Sequence, residues 1–309
     1  MRRFPLLVAM LKVARPVHWV KNLALFAALI FTRTLLVEGY FEAVFWAFVS
    51  FSLATSVAYI INDIKDAPLD RKHPIKKNRP IASGILPPGL AIIEAAIFFL
   101  FSMALAIHLN ELFFLAIVTY LIVQVFYSFG LKNIPIVDIL LIAFGFIIRV
   151  YAGAFVINAH LSVWFLLAVI SVSLFLASGK RRAELGISKG ETRTSLGKYK
   201  RELLNSYVTM FGNAAWMSWA LFTFFESPPA DLDVWLFLAE ISKATTISKL
   251  LMVTIPLVIF IIMRYEALIF EDRSEAPEVV LLTDKPLVIT SLVYGALVLS
   301  ILYGGVAAI

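Results

Sequence analysis

The chain has 309 residues, 61% of them hydrophobic and 16% charged, with a mean hydropathy of +0.90. Soluble domains carry about 25% charged residues, so this composition excludes an ordinary soluble protein and points to a membrane-embedded chain. The net charge is +6 and cysteine is absent, which excludes disulfides, iron–sulfur clusters and cysteine-ligated zinc.

At the N-terminus, Arg2 and Arg3 precede a short apolar run that Lys12 and Arg15 interrupt. A surface-lying amphipathic helix suits this pattern better than a cleaved signal. Crossing the hydrocarbon core takes roughly 20 mostly apolar residues. Nine segments qualify: 18–37, 41–61, 88–108, 111–129, 135–157, 161–179, 203–225, 245–263 and 286–306. No polar run is long enough for a separate soluble domain, so one all-α integral-membrane domain is predicted over 1–309. With the N-terminus on one side, 1–21, 62–87, 130–134, 180–202 and 264–285 share that side and hold 23 of the 27 Lys and Arg residues. Only Arg33, Lys243 and Lys249 lie opposite, and Arg149 falls inside the fifth span. This asymmetry places the N-terminus in the cytoplasm and the C-terminus outside the cell membrane. Long charged loops after spans two and six hint at a duplicated four-helix unit, although no residue-level repeat accompanies them.

Polar chemistry gathers on the cytoplasmic side. The second span leaves the membrane as INDIKDAPLDRKHPIKKNRPIASG, residues 61–84, where Asn62, Asp63, Asp66 and Asp70 precede Arg71, Lys72, His73, Lys76, Lys77 and Arg79. On an ideal helix Asp63, Asp66 and Asp70 lie within about 60° of one another. Three carboxylates on one face repel unless a cation intervenes, and hard oxygen ligands without His or Cys favour Mg2+ shared with substrate phosphates. Pro68 is expected to break the helix and leave Asp70 on a turn. The competing reading is a solvated loop of mutually paired charges.

At the matching position after span six stands SGKRRAELGISKGETRTSLGKY, residues 178–199. Lys180, Arg181 and Arg182 at the membrane edge, with Glu184 one turn on, suit phosphate binding; a topogenic cluster meeting anionic headgroups is the equal alternative. Between spans four and five, YSFGLKNIPIVD at 127–138 carries Lys132 and Asp138 as its only charges. Asp138, Gly145 and Arg149 fall on one stripe of the fifth span, and Arg149, near mid-membrane, makes either an interhelical ion pair or a ligand contact. Lys21 and Asn22 point into the same mouth, unless Lys21 snorkels to headgroups. There is no P-loop, dinucleotide fingerprint or zinc-spaced His pair. The basic loops are too short and lack the folded platform that nucleic acid requires.

Asn62-Asp63-x-x-Asp66-x-x-x-Asp70 at the end of a second span resembles the first acidic motif of the UbiA superfamily of intramembrane prenyltransferases. Its decaprenyl-phosphate phosphoribosyltransferase branch is similar in RPVHWVKN at 15–22, residues 62–84, YSFGLKNIPIVDI at 127–139, GKRRAEL at 179–185, RY at 264–265 and PEVVLLTDKPL at 277–287. The resemblance implies a nine-helix UbiA-like bundle with cytoplasmic cap loops at 62–87, 130–134 and 180–202. It also implies Mg2+-dependent transfer of 5-phosphoribose from phosphoribosyl pyrophosphate to a polyprenyl phosphate, releasing pyrophosphate, in cell-envelope polysaccharide precursor synthesis. On that basis Asn62, Asp63, Asp66 and Asp70 hold the metal. Lys21, Asn22, Arg71, Lys72, Arg79, Tyr127, Lys132, Asp138, Arg149, Lys180, Arg181 and Glu184 meet substrates. Prenyl-diphosphate members carry a second Asp-x-x-x-Asp after the sixth span, where this chain has Lys180-Arg181-Arg182-Ala183-Glu184. Extra cations there suit a donor with separated phosphate groups. Two alternatives stand beside this expectation: a prenyltransferase acting on an aromatic or haem acceptor, and a non-catalytic lipid-phosphate carrier. The sequence leaves a homo-oligomer open.

Overall fold

The computed structural model describes residues 3–72, 76–188, 196–226, 245–271 and 283–304. Every regular element among them is a helix. In chain order these are α1 (Arg3–Ala14), a 3-10 segment (Pro16–Leu25), α2 (Phe26–Phe31), α3 (Tyr40–Asp70), α4 (Pro88–Leu109), α5 (Glu111–Phe129), α6 (Val137–Val156), α7 (Val163–Ser188) and α8 (Arg201–Phe225). A second 3-10 segment (Thr245–Thr254), α9 (Ile255–Phe270) and α10 (Lys285–Tyr303) complete the chain. His73, the expected charges at Lys189, Arg193 and Arg273, and residues 277–282 of the last motif lie outside the described residues.

Among the described residues seven helical stretches are long and apolar enough to cross a membrane: α3 to α6, Val163–Gly186 of α7, Lys249–Phe270 and α10. The protein is a multi-pass membrane protein. One of the nine expected spans takes another form. The segment 18–37 is not a continuous helix, because ten residues of 3-10 turn precede the six of α2. Its polar groups explain part of this: Asn22 is fully buried and donates to Ser52 Oγ at 2.9 Å, and Trp19 donates to Ser56 Oγ at 3.0 Å. Helix α8, 25 residues long, covers the expected span 203–225.

Length decides where the site can sit. At 1.5 Å per residue the 31 residues of α3 reach about 46 Å, against a hydrocarbon core of about 30 Å. About ten residues therefore project beyond the core, and they include the acidic motif. Pro68 does not end the helix as expected, since α3 runs on to Asp70. A proline costs the interior helix one hydrogen bond, and so near the end the loss is small. Likewise α7 continues past the expected limit of 179 and carries Lys180, Arg181 and Glu184 on helix.

Small residues bring the helices together. Ser50 Oγ donates to the Ser102 carbonyl and Ser102 Oγ to the Ser50 carbonyl, both at 2.8 Å, which ties α3 to α4. A Cβ added to Gly153 of α6 would overlap the Leu25 carbonyl. Backbone cannot give way as a side-chain tip can, so Gly153→Ala is expected to cost about 1–3 kcal/mol and to lower Tm in detergent. An unchanged Tm would show that the close approach is not required.

Candidate active site

A cavity of about 670 Å³ opens where α3, α5, α6 and α7 approach one another at the end that carries the acidic motif. The stripe of α3 facing it presents Asn62, Asp66 and Asp70, spaced i, i+4 and i+8 so that each drifts by about 40° from the last. Asp63 sits at about 100° from Asn62 on the same wheel and does not line this cavity. It is 2% exposed and meets Arg15 Nη2 at 2.6 Å and Arg79 Nη1 at 3.1 Å. Arg79 Nη1 also reaches Asp70 at 2.7 Å.

These pairings replace the expected three-carboxylate cage. Among the described residues no three acidic or His side chains gather as a metal cluster: Asp63 meets Arg15 and Arg79, Asp70 shares Arg79, and Asp66 faces Lys132. The donors that remain in the cavity do fit a divalent ion. Lys132 Nζ lies 2.7 and 2.8 Å from the two Asp66 oxygens and 3.4 Å from Asn62 Oδ1. Three oxygens thus already converge on one positive charge, with Asp70 one turn above. Mg2+ typically takes one or two protein carboxylates and completes its shell with water and substrate phosphate, which matches two cavity aspartates better than a closed protein cage.

Cations surround the acidic stripe. Lys21, Arg79, Lys132, Arg149 and Lys180 line the cavity, as do Tyr127 and Glu184. No ion pair to Lys180 is formed among the described residues, so its ammonium is available to an incoming anion. The remaining expected residues lie elsewhere. Arg71 is exposed with Nε on the Ala82 carbonyl at 3.2 Å, and Lys72 is exposed beyond it. Both are where solvated cations cost least, outside the mouth.

Arg181 is the largest correction. The expectation made it a phosphate ligand, yet it is 0% exposed behind the cavity wall. Its Nε lies 2.6 Å from Asp138 Oδ2 as an ion pair without an aligned N–H, Nη1 binds Glu184, and Nη2 donates to the Tyr127 hydroxyl at 2.8 Å. Asp138, also 0% exposed, accepts from the Tyr199 hydroxyl at 2.7 Å. Burial pushes the Tyr199 phenol above its ordinary range, and its hydrogen bond to Asp138 adds to the shift. The phenol therefore stays a neutral donor at physiological pH. Arg182, 2% exposed, donates to Asn205 at 2.6 Å and ties α7 to α8. Of the basic triplet only Lys180 reaches the cavity.

Among the described residues Arg149 does not form the interhelical ion pair that its position allowed. Asp138 is committed to Arg181, and Arg149 Nε donates instead to Asn22 Oδ1 at 2.6 Å, with further contacts to the Gly145 carbonyl and to Tyr120 at 3.3 Å. Its guanidinium also lies over the Phe51 and Tyr120 rings at 5.2 and 5.1 Å. Asn22 is thus a buried support for Arg149 rather than a cavity residue.

Sequence reasoning passed over Arg15, Tyr59 and Tyr199. Arg15 ends α1 in the left-handed region, φ 54° and ψ 58°, and its guanidinium lies 4.8 Å from the Tyr59 ring centre on its way to Asp63. The position before Pro16 disfavours helix and was the available signal. Nothing local marked Tyr199, which arrives from beyond α7.

Comparison with known proteins follows the same outline. The UbiA prenyltransferase family matches residues 22–180. The decaprenyl-phosphate phosphoribosyltransferase of Corynebacterium glutamicum is 35% identical over 298 residues, spanning 92% of this chain and 84% of the relative. The protein of the same name from Mycobacterium tuberculosis is 37% identical over 226 residues, 71% of this chain and 75% of its own. Among solved structures, a UbiA homologue from Archaeoglobus fulgidus bound to GPP and Mg2+ superimposes with a TM-score of 0.67 at 20% identity, covering 95% of this chain and 99% of that one. The fold and the full-length relatives agree: the chain belongs to the UbiA prenyltransferase family.

Proposed function

We propose that the protein transfers 5-phosphoribose from phosphoribosyl pyrophosphate to a polyprenyl phosphate, with Mg2+, at the cytoplasmic face of the cell membrane. The observation that carries this reading is a cavity whose acidic stripe is ringed by cations, in a chain 35% identical to a decaprenyl-phosphate phosphoribosyltransferase over most of its length. The excess of Lys and Arg on the same side as the cavity supports the orientation, and the acceptor class ties the product to envelope precursor synthesis.

In the reaction the bond from ribose C1 to the pyrophosphate oxygen breaks, and a bond from C1 to an oxygen of the lipid phosphate forms. The acceptor is already an anion, so no strong general base is needed. What remains is positioning and charge neutralisation. Asn62, Asp66 and Asp70 would hold Mg2+, which when bound neutralises charge on the leaving pyrophosphate. Lys132 and Lys180 stand on the opposite walls and meet phosphate oxygens as point charges. Arg181, from behind the wall, fixes Tyr127 and Glu184 in place. Leu141, Ile142 and Phe146 line the lower part and leave an apolar surface from which water is readily displaced.

Donor choice tests the reading. Purified protein receives Mg2+, a polyprenyl phosphate and labelled phosphoribosyl pyrophosphate, and in a second mixture a prenyl diphosphate with an aromatic acceptor. Label is expected in the lipid fraction of the first mixture, with no prenylated product in the second. Prenylated aromatic product without labelled lipid would transfer the assignment to the prenyl-diphosphate branch. Lipid binding without product under any divalent metal would leave a carrier.

A further inference from the structure

A second cavity, about 600 Å³, lies against the first under the N-terminal helix. Helix α1 is apolar on two sides. One side places Ala9 and Val13, 4% and 0% exposed, against Ile60 and Ala67 of α3 and Ala91 of α4. The other leaves Leu7 and Leu11 60% and 65% exposed, and Val17 beyond the helix is 65% exposed. Val8, Leu11, Pro16, Val17 and Pro80 give the cavity its apolar lining, and Lys12, Arg15, His18, Arg79 and Asp63 its polar one. Arg15, His18 and Arg79 line both cavities. These three side chains therefore stand between the groove and the acidic stripe.

We infer that this groove is the acceptor subsite. The polyprenyl phosphate lies with its first isoprene units along Val8, Leu11 and Val17 and its phosphate against Arg15 and Arg79. The inference rests on the phosphoribosyl-transfer reading. A long prenyl chain cannot be enclosed, so it must leave the reacting centre sideways into lipid, through apolar walls. The groove supplies those walls at membrane level, and its volume falls within the range of about 300–1,000 Å³ usual for small-molecule sites, enough for the head and the first units. Charge complementarity selects a phosphate-headed occupant. Arg15 spends only Nη2 on Asp63, which leaves Nε and Nη1 as donors for phosphate oxygens, and planar guanidinium suits such bidentate contact. Asp63 acquires a role in this arrangement: it holds the two arginines apart and aimed, as a positioning residue.

The test uses full-length protein in vesicles of phosphatidylethanolamine and phosphatidylglycerol, with a polyprenyl phosphate carrying a diazirine in its first isoprene units. Adducts are expected on residues 8–17, displaced by unlabelled polyprenyl phosphate and not by added phosphatidylglycerol. In parallel, Val8→Trp and Leu11→Trp are expected to raise KM for polyprenyl phosphate about tenfold, equivalent to 1.4 kcal/mol, with KM for phosphoribosyl pyrophosphate unchanged. Tryptophan keeps α1 apolar, so a helix that merely anchors the chain predicts no such rise. Ile289→Trp, on the lipid-exposed face of α10, is the control and should alter neither constant. Adducts confined to α3, α5 and α6, equal displacement by phosphatidylglycerol, or unchanged kinetics in both tryptophan variants would each overturn the subsite. Capture in the groove by a chain that transfers no phosphoribose would instead sink the transferase reading and leave the lipid-phosphate site standing.

Discussion

Asp66→Asn is expected to lower turnover by about a hundredfold or more while the protein stays folded, the scale seen when preorganised charge stabilisation is removed from a reacting centre. Asparagine keeps the shape of the side chain and one oxygen but loses the charge that now faces the Lys132 ammonium. Asp70→Asn should act in the same direction, since Asp70 lines the same cavity. Both variants should need more Mg2+ for half-maximal rate, and EDTA should imitate them in the unaltered protein. Asp63→Asn should differ. Its carboxylate faces Arg15 and Arg79 rather than the cavity, so the Mg2+ requirement should hold while thermal stability falls, because two guanidinium groups lose a buried counter-charge. Full activity in EDTA, or an Asp63→Asn variant that shifts the Mg2+ titration as far as Asp66→Asn, would remove the metal assignment from Asn62, Asp66 and Asp70.

The difference between Asp63 and Asp66 shows what the sequence could and could not disclose. Periodicity correctly placed Asp63 and Asp66 at the end of the apolar second helix, because apolar length and the spacing of charges are local properties, whereas Asp70, expected on a turn, stays on the helix. Partner choice is not local. Arg15 lies 48 positions from Asp63 and Lys132 lies 66 from Asp66, and only the packing of α1 and α5 on α3 decides which carboxylate each cation reaches. The partners of Asp138 and Arg149 were hidden for the same reason. Both residues are on one face of α6, but Arg181 arrives from α7 and takes Asp138, leaving Arg149 to Asn22 and the Gly145 carbonyl. The first expected span failed in another way. Its mean hydropathy suited a membrane crossing, whereas Arg15 and Pro16 at its start and the buried amide of Asn22 favoured a tight, irregular turn. The cluster Lys180-Arg181-Arg182 read as one patch in sequence, yet successive residues on a helix are 100° apart, so three neighbours cannot all face one cavity.

That geometry leads to the sharpest contrast between neighbouring residues. Arg181→Met is expected to destabilise the protein by about 3–5 kcal/mol, the usual consequence of removing one partner from a buried charge network. Methionine fills much of the volume, so the loss is electrostatic: Asp138, 0% exposed, is left with Tyr199 and the Ile139 amide, and Glu184 and Tyr127 lose the group that fixes them. Tm should fall sharply, and activity should be lost through kcat even where the protein is kept folded by cold or lipid. Adding Asp138→Asn should restore part of the Tm, because the amide no longer carries an uncompensated charge in a closed site, and should not restore kcat to the same degree. Lys180→Ala should behave in the opposite way. Among the described residues Lys180 has no ion pair to lose, and a charge-assisted contact to phosphate is typically worth about 1.5–3 kcal/mol. The substitution should therefore raise KM for phosphoribosyl pyrophosphate by roughly tenfold or more with Tm unchanged. Thermal melts and initial rates on the three variants separate the roles. An Arg181→Met protein that melts like the unaltered chain and shows only a raised donor KM would return Arg181 to the phosphate-binding role that the sequence suggested.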